Sequence, residues 1–349
     1  MSNLKTSDFD FDLPQERIAQ TACEPRDAAR LLRVTPKGPS DHHVFDLPGL
    51  LKAGDLLVLN DTRVIPARLY GKRGEVKVEL LLLKKSASST WQALAKPGKR
   101  LKIGNTIQFA PDLSAEVIEK HDDGEILVRF NVPENSLMGL LHEYGEPPLP
   151  PYIKRAQGAA KADASRYQTI YAARDGAVAA PTAGMHFTPE LLAELAAKGI
   201  NHVKVTLHVG AGTFLPVKAE YIKDHIMHAE WGEISPPVAD QINKARNEGR
   251  RIVCVGTTSL RVLESASNGK GVIRPFSEET SIFISPGYRF RAADVLLTNF
   301  HLPQSTLFML VSAFLGLEAM RRAYAYAIRK NYRFYSYGDA CLLEPKKGE

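Results

Sequence analysis

Between Val64 and Phe130 the chain reads as strand after strand, and beyond Pro147-Pro148-Leu149-Pro150-Pro151 it changes to strands alternating with helices. One pair of packed layers cannot serve both patterns. In the first stretch, Val64 to Tyr70, Glu75 to Leu83, Thr90 to Ala95 and Thr106 to Phe109 are short strand-like runs separated by Gly and Pro. The Asp122-Asp123-Gly124 turn joins Leu113 to Glu119 with Glu125 to Phe130 as a hairpin. Strands at this spacing, with no helix between them, predict a small antiparallel β-barrel.

The proline-rich segment is stiff and suits a domain junction. After it, Thr188-Pro189-Glu190 opens a helix with a capping side chain and Pro at the first position, and Gly199 follows its end. Asn201 to His208 reads as a strand, Ser235-Pro236 starts a helix closed by Gly249, Arg251 to Val255 is a short apolar strand, and Thr258 to Ser267 is helical. Two more helices follow, over roughly 304–314 and 316–330. Gly54-Asp55-Leu56-Leu57-Val58-Leu59 reads as a buried strand of the same kind. The expectation is therefore an α/β fold: a discontinuous α/β domain, residues 1–66 and 150–349, with a small antiparallel β-barrel domain inserted at 67–149.

A chain of 349 residues can bury two cores. It has no internal repeat, no apolar run of signal-peptide or membrane-spanning length, and three scattered cysteines, Cys23, Cys254 and Cys341, without C-x-x-C spacing. A cytoplasmic protein without disulfides, zinc or a membrane partner is expected. Net charge is +6, and the basic excess is concentrated: residues 67–130 hold 12 Lys/Arg against 8 Asp/Glu. The turn Lys96-Pro97-Gly98-Lys99-Arg100-Leu101-Lys102 could grip a phosphate backbone, although charge runs in loops are commonly only solvated.

Several segments carry residues suited to chemistry. Ala180-Pro181-Thr182-Ala183-Gly184-Met185-His186-Phe187 precedes a helix, where a histidine can exchange protons near neutral pH beside unpaired N–H donors, or simply be satisfied by a backbone carbonyl. Thr206-Leu207-His208-Val209-Gly210-Ala211-Gly212-Thr213 runs from a strand into a Gly-x-Gly turn, but Pro216 follows where a dinucleotide fingerprint would need a helix. Val255-Gly256-Thr257-Thr258-Ser259-Leu260-Arg261 places three hydroxyls at a helix start, suited to a carboxylate or phosphate beyond simple capping. Asn60-Asp61-Thr62-Arg63, Asn299-Phe300-His301 and Tyr335-Ser336-Tyr337-Gly338-Asp339 put polar groups at strand ends, where α/β sheets form ligand crevices. His225 and His228 have a generic spacing that reads as structural, so no metal is expected.

These segments together resemble the S-adenosylmethionine:tRNA ribosyltransferase-isomerases of queuosine synthesis. The resemblance is carried by residues 59–68 (Leu59-Asn60-Asp61-Thr62-Arg63 to Arg68), 180–187, 207–214, 256–261, Thr298-Asn299-Phe300-His301-Leu302-Pro303 and Tyr337-Gly338-Asp339-Ala340, and it spans nearly the whole chain. It implies an α/β domain with an inserted barrel, and transfer of the ribosyl part of S-adenosylmethionine, as co-substrate rather than cofactor, to the aminomethyl group of 7-aminomethyl-7-deazaguanine in a tRNA anticodon. Such chemistry needs a base near C5′, help for adenine departure and a site tolerating a sulfonium. His186, His208 and Asp339 are the catalytic candidates; Gly210, Gly212, Thr213, Thr257, Thr258 and Ser259 are the candidates for holding S-adenosylmethionine; Arg63, Lys99 and Arg100 are those for tRNA. A monomer is expected. A nucleotide-processing enzyme that ignores RNA and a non-enzymatic RNA-binding module are the competing readings.

Overall fold

The computed structural model describes residues 4–121, 124–155, 160–210, 212 and 217–346. In chain order, the hairpin β1 (Arg30–Thr35) and β2 (Gly38–His43) is followed by α1 (Leu47–Leu50), β3 (Leu56–Asn60) and β4 (Thr62–Val64). Six strands come next: β5 (Arg68–Arg73), β6 (Val76–Ala87), β7 (Thr90–Lys96), β8 (Thr106–Ala110), β9 (Leu113–Lys120) and β10 (Glu125–Phe130). Then come α2 (Glu134–Tyr144), α3 (Ala160–Arg166), β11 (Arg174–Ala177), α4 (Pro189–Ala197), β12 (Asn201–Leu207), β13 (Glu230–Ile234) and α5 (Pro236–Asn247). The chain ends with β14 (Ile252–Val255), α6 (Thr257–Ala266), β15 (Phe276–Thr280), β16 (Val295–Asn299), α7 (Thr306–Leu315), α8 (Leu317–Arg329) and β17 (Ala340–Leu343).

Strands β5 to β10 close into a barrel in the order β10-β7-β6-β5-β8-β9. Its sequence alternates because each strand turns one face inward: Val78, Leu80 and Leu82 of β6 are buried while their neighbours are not. At Gly71 the β5 backbone passes so close to β8 that a Cβ would lie 2.5 Å from the Gln108 carbonyl oxygen, which leaves room only for glycine. Leu137 and Leu141 of α2, a helix the sequence reading missed, join the barrel's apolar cluster. The expected strand over 64–70 is in fact broken. Pro66 lacks an N–H, and there the chain leaves β4, which pairs with β11, to enter the barrel at β5. Strand β6 runs on to Ala87, past its expected end at Leu83, through exposed residues that pair with β7. Asp122 and Asp123 lie outside the described residues, but β9 and β10 pair antiparallel on either side of them.

The second sheet has nine strands in the order β15-β13-β12-β3-β14-β16-β17-β1-β2. Its centre, β12-β3-β14-β16, is parallel. Helices cover both faces, so β3, β14 and β16 are buried throughout and read as unbroken apolar runs. Val58, Cys254 and Leu296 pack into one cluster with residues of α5 to α8; Leu57, Leu59, Val253, Val255 and Leu297 pack into another with α1 and α4. From β3 the chain moves to β12 on one side and later to β14 on the other, so strand order reverses at β3. Ligand crevices of open α/β sheets lie beyond the carboxyl ends of strands at such a point. The amino ends are tied instead by Arg251, which donates to Asp55 at 2.9 and 2.5 Å and to Glu344 at 2.8 Å. Among the described residues no helix is long and apolar enough to cross a membrane.

Candidate active site

A cleft of about 940 Å³, its open mouth included, lies beyond the carboxyl ends of β12, β14 and β16. Its floor begins where β14 turns into α6. Gly256 makes that turn at φ +90°, a conformation that a side chain would strain, and α6 starts at the next residue with its N-terminus at the cleft. Helix starts leave backbone N–H groups without intrahelical partners. Thr257 and Thr258 line the cleft beside them, and the buried Thr258 hydroxyl has no hydrogen-bond partner among the described residues. Ser259 turns away: it is fully buried and donates to the Val255 carbonyl at 2.9 Å. One turn on, Arg261 reaches the cleft from a buried position, its Nη1 donating to Glu230, whose other oxygen accepts from the Gly210 N–H at 2.9 Å.

The facing wall comes from β16 and the Pro181 loop. Asn299 accepts from the Thr182 hydroxyl at 2.8 Å and donates to His186 Nε2 and to the Tyr335 carbonyl, each at 3.3 Å. Donation to Tyr335 fixes which end of the amide is nitrogen, so His186 Nε2 must accept and the ring carries its proton on Nδ1, toward the Arg26 carbonyl. Burial drives His186 down to about 4, against a smaller upward pull from Asp339. His301 lines the cleft with Nε2 at 3.0 Å from the Thr298 hydroxyl, and burial lowers it to about 3. Both imidazoles are neutral at pH 7. Tyr152 and Tyr335 also line the cleft, their ring centroids 4.1 Å apart, and the Tyr152 hydroxyl lies 2.5 Å from Ser336 Oγ.

The sequence candidates separate into cleft and scaffold. Thr257 and Thr258 are in the cleft; His186 stands behind Asn299 and does not line it. His208 does not line it either: Nδ1 is 2.8 Å from the Thr62 hydroxyl and the ring stacks on Trp231. Asp339 is buried as a backbone clamp, accepting from the N–H groups of Arg30 and Arg333 and pairing with the Arg333 guanidinium. Gly210 serves Glu230, and Gly212 lies against the His228 ring, where a Cβ would come within 2.7 Å. Thr213 lies outside the described residues. Arg63 is committed to the Ala172 carbonyl at 2.9 Å and to Asp175 at 3.7 Å. Lys99 and Arg100 are exposed on the barrel turn. Arg261, Asn299, Thr182 and His301 were not among the site residues expected from the sequence, although each lies inside one of the motifs that carry residues suited to chemistry.

The model of the queuosine biosynthesis protein family matches residues 6–343. A curated relative from Phenylobacterium zucineum, named S-adenosylmethionine:tRNA ribosyltransferase-isomerase, is 57% identical over 97% of this chain and 99% of its own. One of the same name from Caulobacter vibrioides is 54% identical over 97% and 98%. The crystal structure of the S-adenosylmethionine tRNA ribosyltransferase from Thermotoga maritima is 34% identical with a TM-score of 0.55, covering 97% of this chain and all of that one. Matched along nearly its full length by the family model and by relatives above half identity, this chain belongs to the queuosine biosynthesis protein family.

Proposed function

We propose that this enzyme is an S-adenosylmethionine:tRNA ribosyltransferase-isomerase. It transfers and isomerises the ribosyl part of S-adenosylmethionine onto the aminomethyl group of 7-aminomethyl-7-deazaguanine at the anticodon wobble position, giving epoxyqueuosine in tRNA with release of adenine and methionine. The observation that carries this reading is the strand-end cleft itself, where a helix N-terminus, unbonded polar groups, a neutral imidazole and two tyrosine rings converge on one space. The tyrosine rings offer flat faces to a purine, and Thr182 and Asn299 offer polar groups to a ribose.

The reaction opens with proton loss from C5′, whose acidity the adjacent sulfonium raises. Among the described residues lining the cleft His301 is the one histidine, and it takes the role of base for which His186, His208 and Asp339 were the sequence candidates. A low proton affinity is less of a handicap here than in an apolar site holding no ligand. The proton moves from a sulfonium-bearing carbon to the ring, so the cleft holds one more positive charge than the protein alone both before and after transfer. Thr298, 3.0 Å from Nε2, orients the ring.

The test is incubation with S-adenosylmethionine and tRNA bearing the aminomethyl-deazaguanine, followed by nucleoside mass analysis. Epoxyqueuosine should form, with adenine and methionine released, and tRNA with unmodified guanine should give none. Absence of product from the modified tRNA overturns the reading. With co-substrate dideuterated at C5′ the product should lack one deuterium; retention of both excludes the opening step while leaving the overall reaction standing.

A further inference from the structure

Among the described residues the buried Arg251 and Arg261 and the half-buried Arg155 meet carboxylates, and they do so in two ways. Arg251 presents its Nε–Nη2 edge to Asp55, with both oxygens engaged at 2.9 and 2.5 Å. Arg155 presents the same edge to Asp163, at 2.6 and 3.0 Å. Arg261 is held differently. It meets Glu230 through Nη1, and its Nε and Nη2, both buried, have no partner among the described residues. The side chain is 5% exposed and lines the cleft.

A buried guanidinium with one edge unbonded is expensive, because each desolvated donor lacks the water it gave up. The fold has the means to satisfy such an edge, as Asp55 and Asp163 show, yet places no carboxylate there. Resting on the reading of the cleft as an S-adenosylmethionine site, we infer that Arg261 is the anchor for the co-substrate's amino-acid carboxylate, received in two-pronged fashion on the Nε–Nη2 edge. A planar carboxylate matches that edge. Thr258, one turn back on α6, supplies a further unpartnered hydroxyl, and the positive start of α6 favours the incoming negative charge. Glu230 is the positioning residue: pinned by the Gly210 N–H, it fixes the guanidinium through Nη1 and leaves the other edge free for ligand. This shifts the carboxylate contact from the three hydroxyls expected from the sequence toward Arg261, since Ser259 is spent on Val255.

The test uses two unreactive probes that differ only in the carboxylate: S-adenosylhomocysteine and its decarboxylated analogue. By calorimetry the native enzyme should bind the first about 10- to 100-fold more tightly. Arg261→Lys keeps a charge opposite Glu230 but loses the two-pronged edge, and should shrink that ratio to within about threefold. Its affinity for tRNA should stay unchanged. Equal binding of both probes by the native enzyme, which needs no variant to fold, would overturn the inference while leaving the function intact. So would full discrimination retained by Arg261→Lys, or a loss of tRNA affinity in its place, which would make the edge a phosphate site. If neither probe binds and no epoxyqueuosine forms, the functional reading fails together with the inference.

Discussion

The barrel and the strand-end cleft are built on opposite terms. Inside the barrel the cluster is apolar throughout, and ion pairs such as Arg68–Glu79, Lys85–Glu134 and Arg129–Glu116 lie on the outside. At the carboxyl ends of the central sheet the reverse holds. Asn60, Thr206, Glu230, Thr257, Arg261, Thr298, Asn299 and His301 are all buried, and some of their polar atoms lack partners. Burying a polar group is costly unless it is hydrogen-bonded, so the barrel is a region that folds at little polar cost and presents charge outward. The cleft keeps groups that folding does not require, which is what the proposed function asks of a surface that receives a ligand.

The sharpest test contrasts the two ends of the same sheet. Arg251 at the amino ends is saturated by Asp55 and Glu344, whereas Arg261 at the carboxyl ends is not. Asp55→Ala strands a buried cation and should cost about 3–5 kcal/mol of stability, read from urea denaturation. Activity per folded molecule should hold. A loss below about 1 kcal/mol would mean that Glu344 alone suffices, and the saturated end would no longer differ from the cleft.

Next in size is the acid response of His186. Its folded-state value of about 4 lies below the ordinary histidine range because burial disfavours the cation. As pH falls, the unfolded chain takes up the proton first. Stability from this residue is therefore complete above about pH 6.5 and is lost as pH drops toward 4, by about 3 kcal/mol in all at about 1.4 kcal/mol per unit. His186→Asn should flatten the slope of stability against pH in that window by up to one proton. An unaltered slope would show that the ring is not held neutral.

A smaller effect, with a distinctive sign, is expected at Thr258. Its buried hydroxyl has no partner among the described residues, so Thr258→Val removes a desolvated polar atom and should leave the unfolding free energy unchanged or raise it by up to about 1 kcal/mol. The KM for S-adenosylmethionine should rise several-fold and that for tRNA should not. A variant that is destabilised with an unchanged KM would place the hydroxyl in the scaffold with Ser259.

What the sequence disclosed follows the same division. Alternation in β6 and β9 and the unbroken runs of β3 and β14 are local patterns, and they were enough to separate barrel from α/β layers. Pro66 looked like an interruption within one strand because nothing local says that β4 pairs with β11, more than a hundred residues away. The site was legible as motifs but not as roles. His186, His208 and Asp339 are residue types that catalysis favours, yet Asn299, Thr62 and the backbone of Arg30 and Arg333 occupy them. Arg261 looked like the tail of a hydroxyl motif. Its importance depends on which guanidinium edge Glu230 takes, and that is a tertiary fact.

The barrel's outward charge gives the smallest expected effect and the one that tests whether the two regions serve one substrate. Lys99 and Arg100 sit on the exposed turn Gly98–Arg100, and Lys120 pins that turn by donating to the carbonyls of Gly98 and Leu101 at 3.1 and 2.7 Å. A turn fixed from below, with cations held outward, suits phosphates along a backbone better than the edge of a base, which needs planar two-pronged partners. Replacing both residues with Ala removes at most two phosphate contacts. The log–log dependence of tRNA affinity on salt should therefore flatten by no more than about two, since each contact contributes roughly 0.7–0.9. The KM for S-adenosylmethionine should not move, because these side chains are not among those lining the cleft. A flattened slope with an unmoved KM would assign docking to the barrel and chemistry to the sheet. An unchanged slope would remove this turn from the tRNA path and send the search to other exposed basic residues of β5 to β7, such as Lys72, Lys77 and Lys96.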